Sequence, residues 1–384
     1  MKEIFHRDKS IVPACDVPLE VFEEILQKTG DLEKVGGYKV GFSLMLEQGL
    51  PEIEIPKNTL YNHRAGACDI PDMGKKFMHS LSKHDNIDGV ILTPMTGPET
   101  FERWVEAADD NGLQIYVEPL LKTTYTESQG GYMDDKAIDR IIQLGSDWMV
   151  DGFIFPAQSD MKRFVEMIDM EHTDVILRDN GRIHTHVYEL MSYDVMEAGL
   201  SKVMDVARRY TDKPIIYDHQ KAGTDVPENA SRFAEAASDA GIDAVIFFPL
   251  AGPKAQSSFI READQKGLGV LVGGYMTHPK FVESQRGYIV DEATEDIYLN
   301  AAEEGVNNYI VPGNKPDVIK RIRKSLEAQG VEPRFSAPGF VAQGDCSITD
   351  SGKAAGKYMH AIVGRGIYGA DDKRQATIDL GRDL

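Results

Sequence analysis

The chain has 384 residues, of which 42% are hydrophobic and 27% charged, and its formal net charge is −20. So acidic a composition argues against a nucleic-acid partner, which needs a basic face, and no apolar run approaches the roughly 18 residues of a membrane span. Three cysteines without a CxxC pair argue against disulfides and a thiolate zinc site. With the charged start, which lacks the apolar core of a secretory signal, they predict a cytoplasmic protein.

Short apolar runs alternate with helical patterns from the amino terminus onward. In order, these are a strand at 11–16 ending in Asp16, a helix at 19–26, a strand at 36–43 carrying Lys39, a helix at about 43–50, and a strand opening at 59–61. Later strands are predicted near 214–217, 244–248, 269–273 and 308–311. This βαβα order indicates a parallel sheet, and the number of strands favours closure into a barrel.

The chain also repeats itself. Residues 61–71 are echoed by residues 217–227, so that Asp69 and Asp225 lie 156 positions apart. Further matching pairs are 89–98 with 244–253, 127–132 with 283–288, and 153–156 with 309–312. The period is too long for a solenoid and suits a duplicated globular unit.

We therefore expect an α/β fold of the (β/α)8 TIM-barrel class, internally duplicated as a pseudo-dimer of barrel-like halves. Residues 1–172 would form an N-terminal half that is degenerate at its third strand. Residues 173–384 would form a C-terminal half that carries the main site. The opening strands, within 11–43, could close either barrel, and the sequence leaves open whether the chain dimerises further.

Two carboxylates bracket a lysine after the strand predicted at 214–217. Asp218, Lys221 and Asp225 precede a helical pattern at 230–240. In a (β/α)8 barrel, catalytic side chains lie where strands hand over to helices. A lysine between aspartates stays charged and can act as an acid. The alternative is an ordinary solvated turn.

The end of the chain has features of a phosphate site. A strand and loop at 336–345 contain Pro338-Gly339 and Gln343-Gly344, and a strand within 361–368 runs into Gly364-Arg365-Gly366. Glycines let backbone N–H groups approach a phosphate, and a guanidinium can bind it with paired hydrogen bonds. In barrels, phosphate commonly lies at the loops after strands seven and eight.

These motifs together resemble the orotidine 5′-monophosphate decarboxylase family, a (β/α)8 family whose dimers share active sites across their interface. The resemblance implies a carboxy-lyase of pyrimidine biosynthesis that converts orotidine 5′-monophosphate (OMP) to UMP, with no metal or organic cofactor. The expected partner is thus a small nucleotide.

The resemblance also implies residue roles. Lys221 would donate the proton and Arg365 would anchor the phosphate. The charge network would contain Lys39, Asp218, Lys221 and an aspartate matching Asp225. Asp16 and Lys39 would contact the ribose hydroxyls, Thr277 the pyrimidine amide, and Gln343, Arg365 and Tyr368 the phosphate, with Pro338, Gly339 and Gly364 in the same loops.

One spacing departs from the family. The family motif is Asp-x-Lys-x-x-Asp, whereas this chain has Asp-x-x-Lys-x-x-x-Asp. Residues three apart on a regular strand face opposite sides. Asp218 and Lys221 can therefore converge only if the strand has ended or bulged, which Gly223 would allow.

The first copy has lost most of the motif. Asn62 stands in place of Asp218 and Ala65 in place of Lys221, whereas Asp69 remains. We expect this copy to be catalytically silent, and our hypothesis is that Asp69 reaches across the pseudo-dimer into the active site. Alternatively, Asp69 caps a helix before Pro71 and Asp225 serves locally. His63 and His219, at equivalent repeat positions, are expected to share a structural hydrogen bond.

Two other functions remain open. Superfamily relatives that act on keto-gulonate phosphate or hexulose phosphate keep the fold and phosphate site but use Mg²⁺. A non-catalytic phosphometabolite-binding protein is the third possibility, because the first copy has lost its catalytic residues.

Overall fold

The computed structural model describes residues 1–63, 69–119, 121, 126–157, 159, 161–168, 172–179, 182–183, 188–222, 225–340 and 347–384. The side chains of residues 162, 165, 179, 182–183 and 220–222 lie outside that description. Within it, none of the helices has the length and apolar character needed to cross a bilayer.

The described strands are, in chain order, β1 (Lys9–Pro13), β2 (Tyr38–Gly41), β3 (Thr59–Asn62), β4 (Ile87–Leu92), β5 (Gln114–Val117), β6 (Gly152–Pro156), β7 (Asp174–Asp179), β8 (Arg182–Ile183), β9 (Tyr188–Met191), β10 (Ile215–Ala222), β11 (Ala244–Phe247), β12 (Gly269–Gly273), β13 (Asn308–Ile310), β14 (Arg334–Ala337) and β15 (Met359–Val363).

The described helices are α1 (Leu19–Thr29), α2 (Phe42–Gly49), α3 (Met73–Leu81), α4 (Pro98–Asp110), α5 (Ala137–Asp147), α6 (Met161–Val165), α7 (Ser192–Ala207), α8 (Ala230–Asp239), α9 (Pro253–Gln265), α10 (Ala293–Glu303), α11 (Pro316–Ala328), α12 (Ile348–Ala355), α13 (Arg365–Tyr368) and α14 (Lys373–Arg382). Short 3₁₀ turns occur at Leu50–Glu52, Glu127–Gln129, Pro227–Asn229 and Glu283–Gln285.

Eight parallel strands form a closed barrel in the order β1, β2, β10, β11, β12, β13, β14, β15. The ring closes between β1 and β2, where the amide of Cys15 donates to the carbonyl of Lys39 at 2.7 Å. Strands of such a barrel are covered on both faces, and β11 and β12 are buried along their whole length. The predicted TIM-barrel fold is confirmed.

The other seven strands form a second sheet in the order β9, β3, β4, β5, β6, β7, β8. Its first six strands are parallel, and β8 is antiparallel to β7. Within the described residues, β9 and β8 are its edges, so this sheet is an open half-barrel.

The two sheets exchange their opening strands. β2 pairs with β10, not with β3, which follows it in the chain, and β3 pairs with β9 instead. The strands within 11–43 therefore close the barrel formed by the C-terminal part of the chain. The expected division at 172–173 does not coincide with the division between the sheets, because each sheet takes strands from both sides of it.

Local sequence explains how equivalent helices begin in both parts. α4 and α9 each start with proline after glycine, and Gly97 and Gly252 have φ of +115° and +114°. Proline suits the first helical turn, and glycine adopts positive φ without strain. A Cβ on Gly97 would also lie 2.1 Å from the carbonyl oxygen of Lys280. This glycine therefore allows close packing between the two parts of the chain.

Helices α2 and α7 cross closely between the sheets. A Cβ on Gly199 would lie 2.1 Å from the carbonyl oxygen of Met45, and one on Gly49 would lie 2.5 Å from that of Val195. Only glycine fits at either position. The repeat thus extends further than the sequence suggested, since Gly49 and Gly199 hold equivalent places on the helices that follow the exchanged strands β2 and β9.

Two buried histidines stack at the centre of the same interface. The rings of His63 and His219 lie 4.3 Å apart and nearly parallel. Nδ1 of each is hydrogen-bonded to a tyrosine hydroxyl, with Tyr61 at 3.1 Å and Tyr217 at 2.6 Å. Each histidine therefore makes an equivalent structural hydrogen bond, as expected, although its partner is a tyrosine.

Candidate active site

A cavity of about 380 Å³ lies at the carboxyl ends of the barrel strands. Every barrel strand contributes to its wall, through residues of the strand itself or residues that follow it directly, and this is the edge where catalytic groups of such barrels lie. The predicted site residues that line it are Asp16, Lys39, Asp69, Asp218, Thr277, Pro338, Gly339, Gly364, Arg365 and Tyr368. Residues distant in the chain thus meet around one cavity.

Two of these cavity residues form an ion pair. Lys39 Nζ donates to Asp218 Oδ2 at 3.0 Å, and the two side chains are 16% and 10% exposed. The pairing of β2 with β10 brings them together, with Gly41 opposite Asp218. The strand exchange is therefore what supplies Lys39 to this site.

Asp16 follows β1 after a short loop. Both of its carboxylate oxygens are buried, and neither meets a hydrogen-bond partner among the residues that the structure describes. Burial raises the pKa of Asp16, and the positive charges of Lys76 and Lys39 oppose that rise. Buried polar groups are rarely left unsatisfied, so this carboxyl is suited to bind ligand hydroxyls.

β10 is irregular at the place where the Asp-x-x-Lys spacing occurs. Asp218 lies opposite Ile246, but Ala222 lies opposite Phe247, so three extra residues stand between two ladder positions. The strand thus has the irregularity that the Asp-x-x-Lys spacing demands. The side chain of Lys221, and the whole of Gln343, lie outside the described residues.

Asp69 lies at the cavity even though β3 belongs to the other sheet. Its side chain is buried, and its backbone carbonyl accepts from the hydroxyls of Thr96 and Thr100 at 3.1 and 3.2 Å. The residue before α3 is Asp72, which argues against Asp69 as that helix's N-cap. A residue that follows a strand of one sheet in the chain therefore lies at the cavity of the other sheet.

Asp225, its repeat equivalent, faces elsewhere. Its Oδ2 accepts from the hydroxyl of Tyr193 and from Asn229 Nδ2, both at 2.6 Å. Tyr193 belongs to α7, and Asp225 is not among the described residues that line the cavity. A catalytic role for Asp225 stays a prediction, which these bonds do not support.

The equivalent strand ends of the second sheet hold a different network. Glu189 on β9 takes the place of Lys39, and it accepts a hydrogen bond from Asn62 at 2.7 Å. Arg178 binds both oxygens of Glu189 and also Glu118, each at 2.8 Å. A lysine–aspartate pair in the barrel thus corresponds to a glutamate–amide pair here.

Several site residues were not predicted from the sequence. Asp72 and Lys76 line the cavity from the start of α3, and Asp72 pairs with Arg365 at 3.5 Å. The spacing of Asp69, Asp72 and Lys76 follows the helical period, so it could have indicated that they share a face.

Two side chains hold the loop that carries Thr277 by hydrogen bonds to its backbone. Lys315 Nζ donates to the carbonyls of Met276 at 2.9 Å and His278 at 3.4 Å, and Asn314 donates to that of Thr277 at 3.2 Å. Burial lowers the pKa of Lys315 to about 8. Two neighbouring residues therefore fix the backbone on which Thr277 faces the cavity.

The chain is similar to one family of known proteins. The family model described as "Orotidine 5'-phosphate decarboxylase / HUMPS family" matches residues 172–379. The orotidine 5'-phosphate decarboxylase of Methanosarcina mazei is 29% identical over 190 residues, covering 50% of this chain and 79% of that protein. That of Methanococcoides burtonii is 29% identical over 217 residues, covering 56% and 94%.

Solved structures of orotidine 5'-monophosphate decarboxylase are also similar. The enzyme from Methanocaldococcus jannaschii, complexed with the inhibitor BMP, has a TM-score of 0.41 and 17% identity, and covers 66% of this chain and 94% of that one. The family match spans more than half of the residues and includes β10 to β15. The chain therefore belongs to the orotidine 5'-phosphate decarboxylase / HUMPS family.

Proposed function

We propose that this protein is an OMP decarboxylase, a carboxy-lyase that gives UMP and CO2 without a cofactor. The observation that carries the proposal is the meeting of Asp16, the Lys39–Asp218 pair, Asp69 and Arg365 around one barrel cavity in a chain of this family. The similar proteins of M. mazei and M. burtonii are named for this activity.

The residues suggest how the reaction proceeds. Arg365 binds the phosphate, Asp16 the ribose hydroxyls and Thr277 the pyrimidine. When the bond from C6 to the carboxylate breaks, its electron pair stays on C6 and CO2 departs. The ammonium of Lys221 then delivers a proton to C6, and the neighbouring acids keep that ammonium charged.

Electrostatic interactions determine how large the rate enhancement can be. One contact between unit charges at about 4 Å, in an effective dielectric near 20, contributes roughly 4 kcal/mol. That energy corresponds to about a thousandfold in rate. Several such contacts and the binding of the distant phosphate must act together, and they are effective only because the groups are already in place.

The contacts between the sheets support an intramolecular pseudo-dimer that arose by duplication. Besides the exchanged strands and the stacked histidines, two equivalent segments pair antiparallel. The amide of Asp134 donates to the carbonyl of Tyr288 at 2.7 Å, and that of Val290 to Tyr132 at 2.9 Å. The proposal includes one competent site per chain, because the second sheet has Asn62 and Glu189 where the barrel has Asp218 and Lys39. A cytoplasmic location and a further homodimer stay predictions.

The decisive test is the loss of OMP absorbance on mixing with the purified chain. We expect turnover for the wild type, a loss of at least a thousandfold for Lys221→Ala, and unchanged turnover for Lys266→Ala, an exposed lysine paired with Glu235. Full activity in EDTA would separate this reaction from the Mg²⁺-dependent members. Binding of UMP without any CO2 release from OMP would contradict the proposal and favour a phosphometabolite sensor.

A further inference from the structure

A lysine of the second sheet reaches the barrel cavity. Lys76 lies on α3, yet its Nζ donates to the backbone carbonyl of Asp16 at 2.9 Å. The same ammonium lies 5.6 Å from the centre of the Tyr368 ring. Tyr368 ends α13, the short helix that begins at Arg365. Lys76 thus lies at the end of the cavity where Arg365 is found.

The other cations of the described cavity lining are already paired with carboxylates. Lys39 is bound to Asp218 at 3.0 Å, and Arg365 lies 3.5 Å from Asp72. The hydrogen bond of Lys76 goes to a neutral carbonyl instead. A phosphate carries nearly two negative charges at neutral pH, and the chain as a whole carries −20. An anionic group at this mouth therefore needs local positive charge beyond one arginine.

The repeat provides a comparison. Arg232 occupies the equivalent position on α8, and its guanidinium also lies over a tyrosine across the interface, 5.8 Å from the ring of Tyr193. There, however, it is paired with Asp194 at 2.6 Å. A cation at this position thus reaches across the interface in both copies. In that copy a carboxylate of the chain itself, that of Asp194, neutralises the positive charge of Arg232.

We propose that Lys76 is a second phosphate-binding residue of the barrel site, supplied by the opposite sheet. Its ammonium would bind the phosphate together with Arg365, as a point charge that complements the guanidinium. The inference rests on the proposed function only in taking the ligand to be a phosphorylated nucleoside.

Calorimetric titrations of the full chain with UMP, uridine and ribose 5-phosphate test it. A charge-assisted hydrogen bond lost at an exposed site should weaken binding about tenfold. We expect this loss for UMP and for ribose 5-phosphate in Lys76→Met, unchanged uridine binding, and recovery of most affinity in Lys76→Arg. Lys75→Met, which changes an exposed neighbour outside the described lining, should bind all three as the wild type does.

Each outcome decides the question. Equal UMP affinity in Lys76→Met and the wild type would overturn the proposal, as would an equal loss for uridine, which would indicate a merely structural role. If the wild type binds neither phosphorylated ligand, the phosphate site itself is refuted. If Lys76→Met loses affinity for ribose 5-phosphate while the wild type fails to convert OMP, the inference stands and the proposed activity fails. Unchanged melting temperatures show that the variants are folded.

Discussion

The buried Arg178 network should stabilise the second sheet more than an exposed ion pair with the same contact distance does. We consider Arg178→Met. Arg178 is 7% exposed, and its partners Glu118 and Glu189 are 1% and 10% exposed. At 2.8 Å and an effective dielectric near 20, each charge contact is worth about 6 kcal/mol before desolvation is counted.

Most of that energy offsets the cost of removing the charges from water. Breaking a buried pair by removing one partner nevertheless costs about 3–5 kcal/mol, because the remaining carboxylates stay buried. We therefore expect Arg178→Met to lower the free energy of unfolding by about that amount. Replacing both glutamates by glutamine in the same variant should restore part of the loss, since the uncompensated charges are then gone.

Arg103→Met is the matched control. Arg103 pairs with Glu106 at the same 2.8 Å, but the two side chains are 57% and 50% exposed. An exposed pair of this kind contributes less than about 1 kcal/mol. Urea denaturation followed by circular dichroism measures both variants. Equal losses in the two would refute the reasoning that burial, not distance, sets the contribution.

Two further predictions concern the interface. Burial lowers the pKa of His219 to about 3, whereas an exposed histidine in the unfolded chain has a pKa near 6.5. Above about pH 6.5 the histidine is neutral in both states and costs no stability. Below that pH the unfolded chain binds the proton more readily, so the free energy of unfolding falls by about 1.4 kcal/mol per pH unit. His219→Gln should therefore reduce the slope of unfolding free energy against pH between 6.5 and 4, and an unchanged slope would contradict this. A fragment of residues 173–384 should fail to fold alone, because it lacks β1 and β2, and should gain structure when mixed with 1–172. Cooperative unfolding of the fragment by itself would contradict the strand exchange.

Much of the barrel could be predicted from residue patterns. Strands near 244–248 and 269–273 and the helix over 230–240 follow from apolar runs and helical spacing, and the structure confirms them. These elements form from local sequence alone. Asp16, Lys39 and Arg365 could likewise be identified, because strand-end positions in a barrel meet at one edge.

The strand exchange could not be predicted. Whether β2 pairs with β10 or with β3 depends on packing between sheets, which no local pattern records. Residues 188–199 nevertheless contained a weak signal, because Tyr188, Glu197 and Gly199 echo Tyr38, Glu47 and Gly49. The strand in this stretch was missed because Glu189 reverses the charge of the residue that marked the first copy.

The role of Lys76 was missed for a related reason. Its contacts with Asp16 and Tyr368 join residues far apart in the chain, and they arise only once α3 packs against the barrel mouth. Helical spacing could indicate a shared face with Asp69, but not what that face meets.

The shared active site is tested most directly by comparing OMP turnover in Asp69→Asn and Asp225→Asn. These residues are repeat equivalents, but Asp69 lines the barrel cavity and Asp225 binds Tyr193 and Asn229. Removing the charge at the cavity should lower kcat/KM on the order of a hundredfold, equivalent to about 3 kcal/mol. Asp225→Asn should lower it less than about threefold, provided that the variant is folded. The reverse order of losses would contradict the account that residues of both sheets form one site.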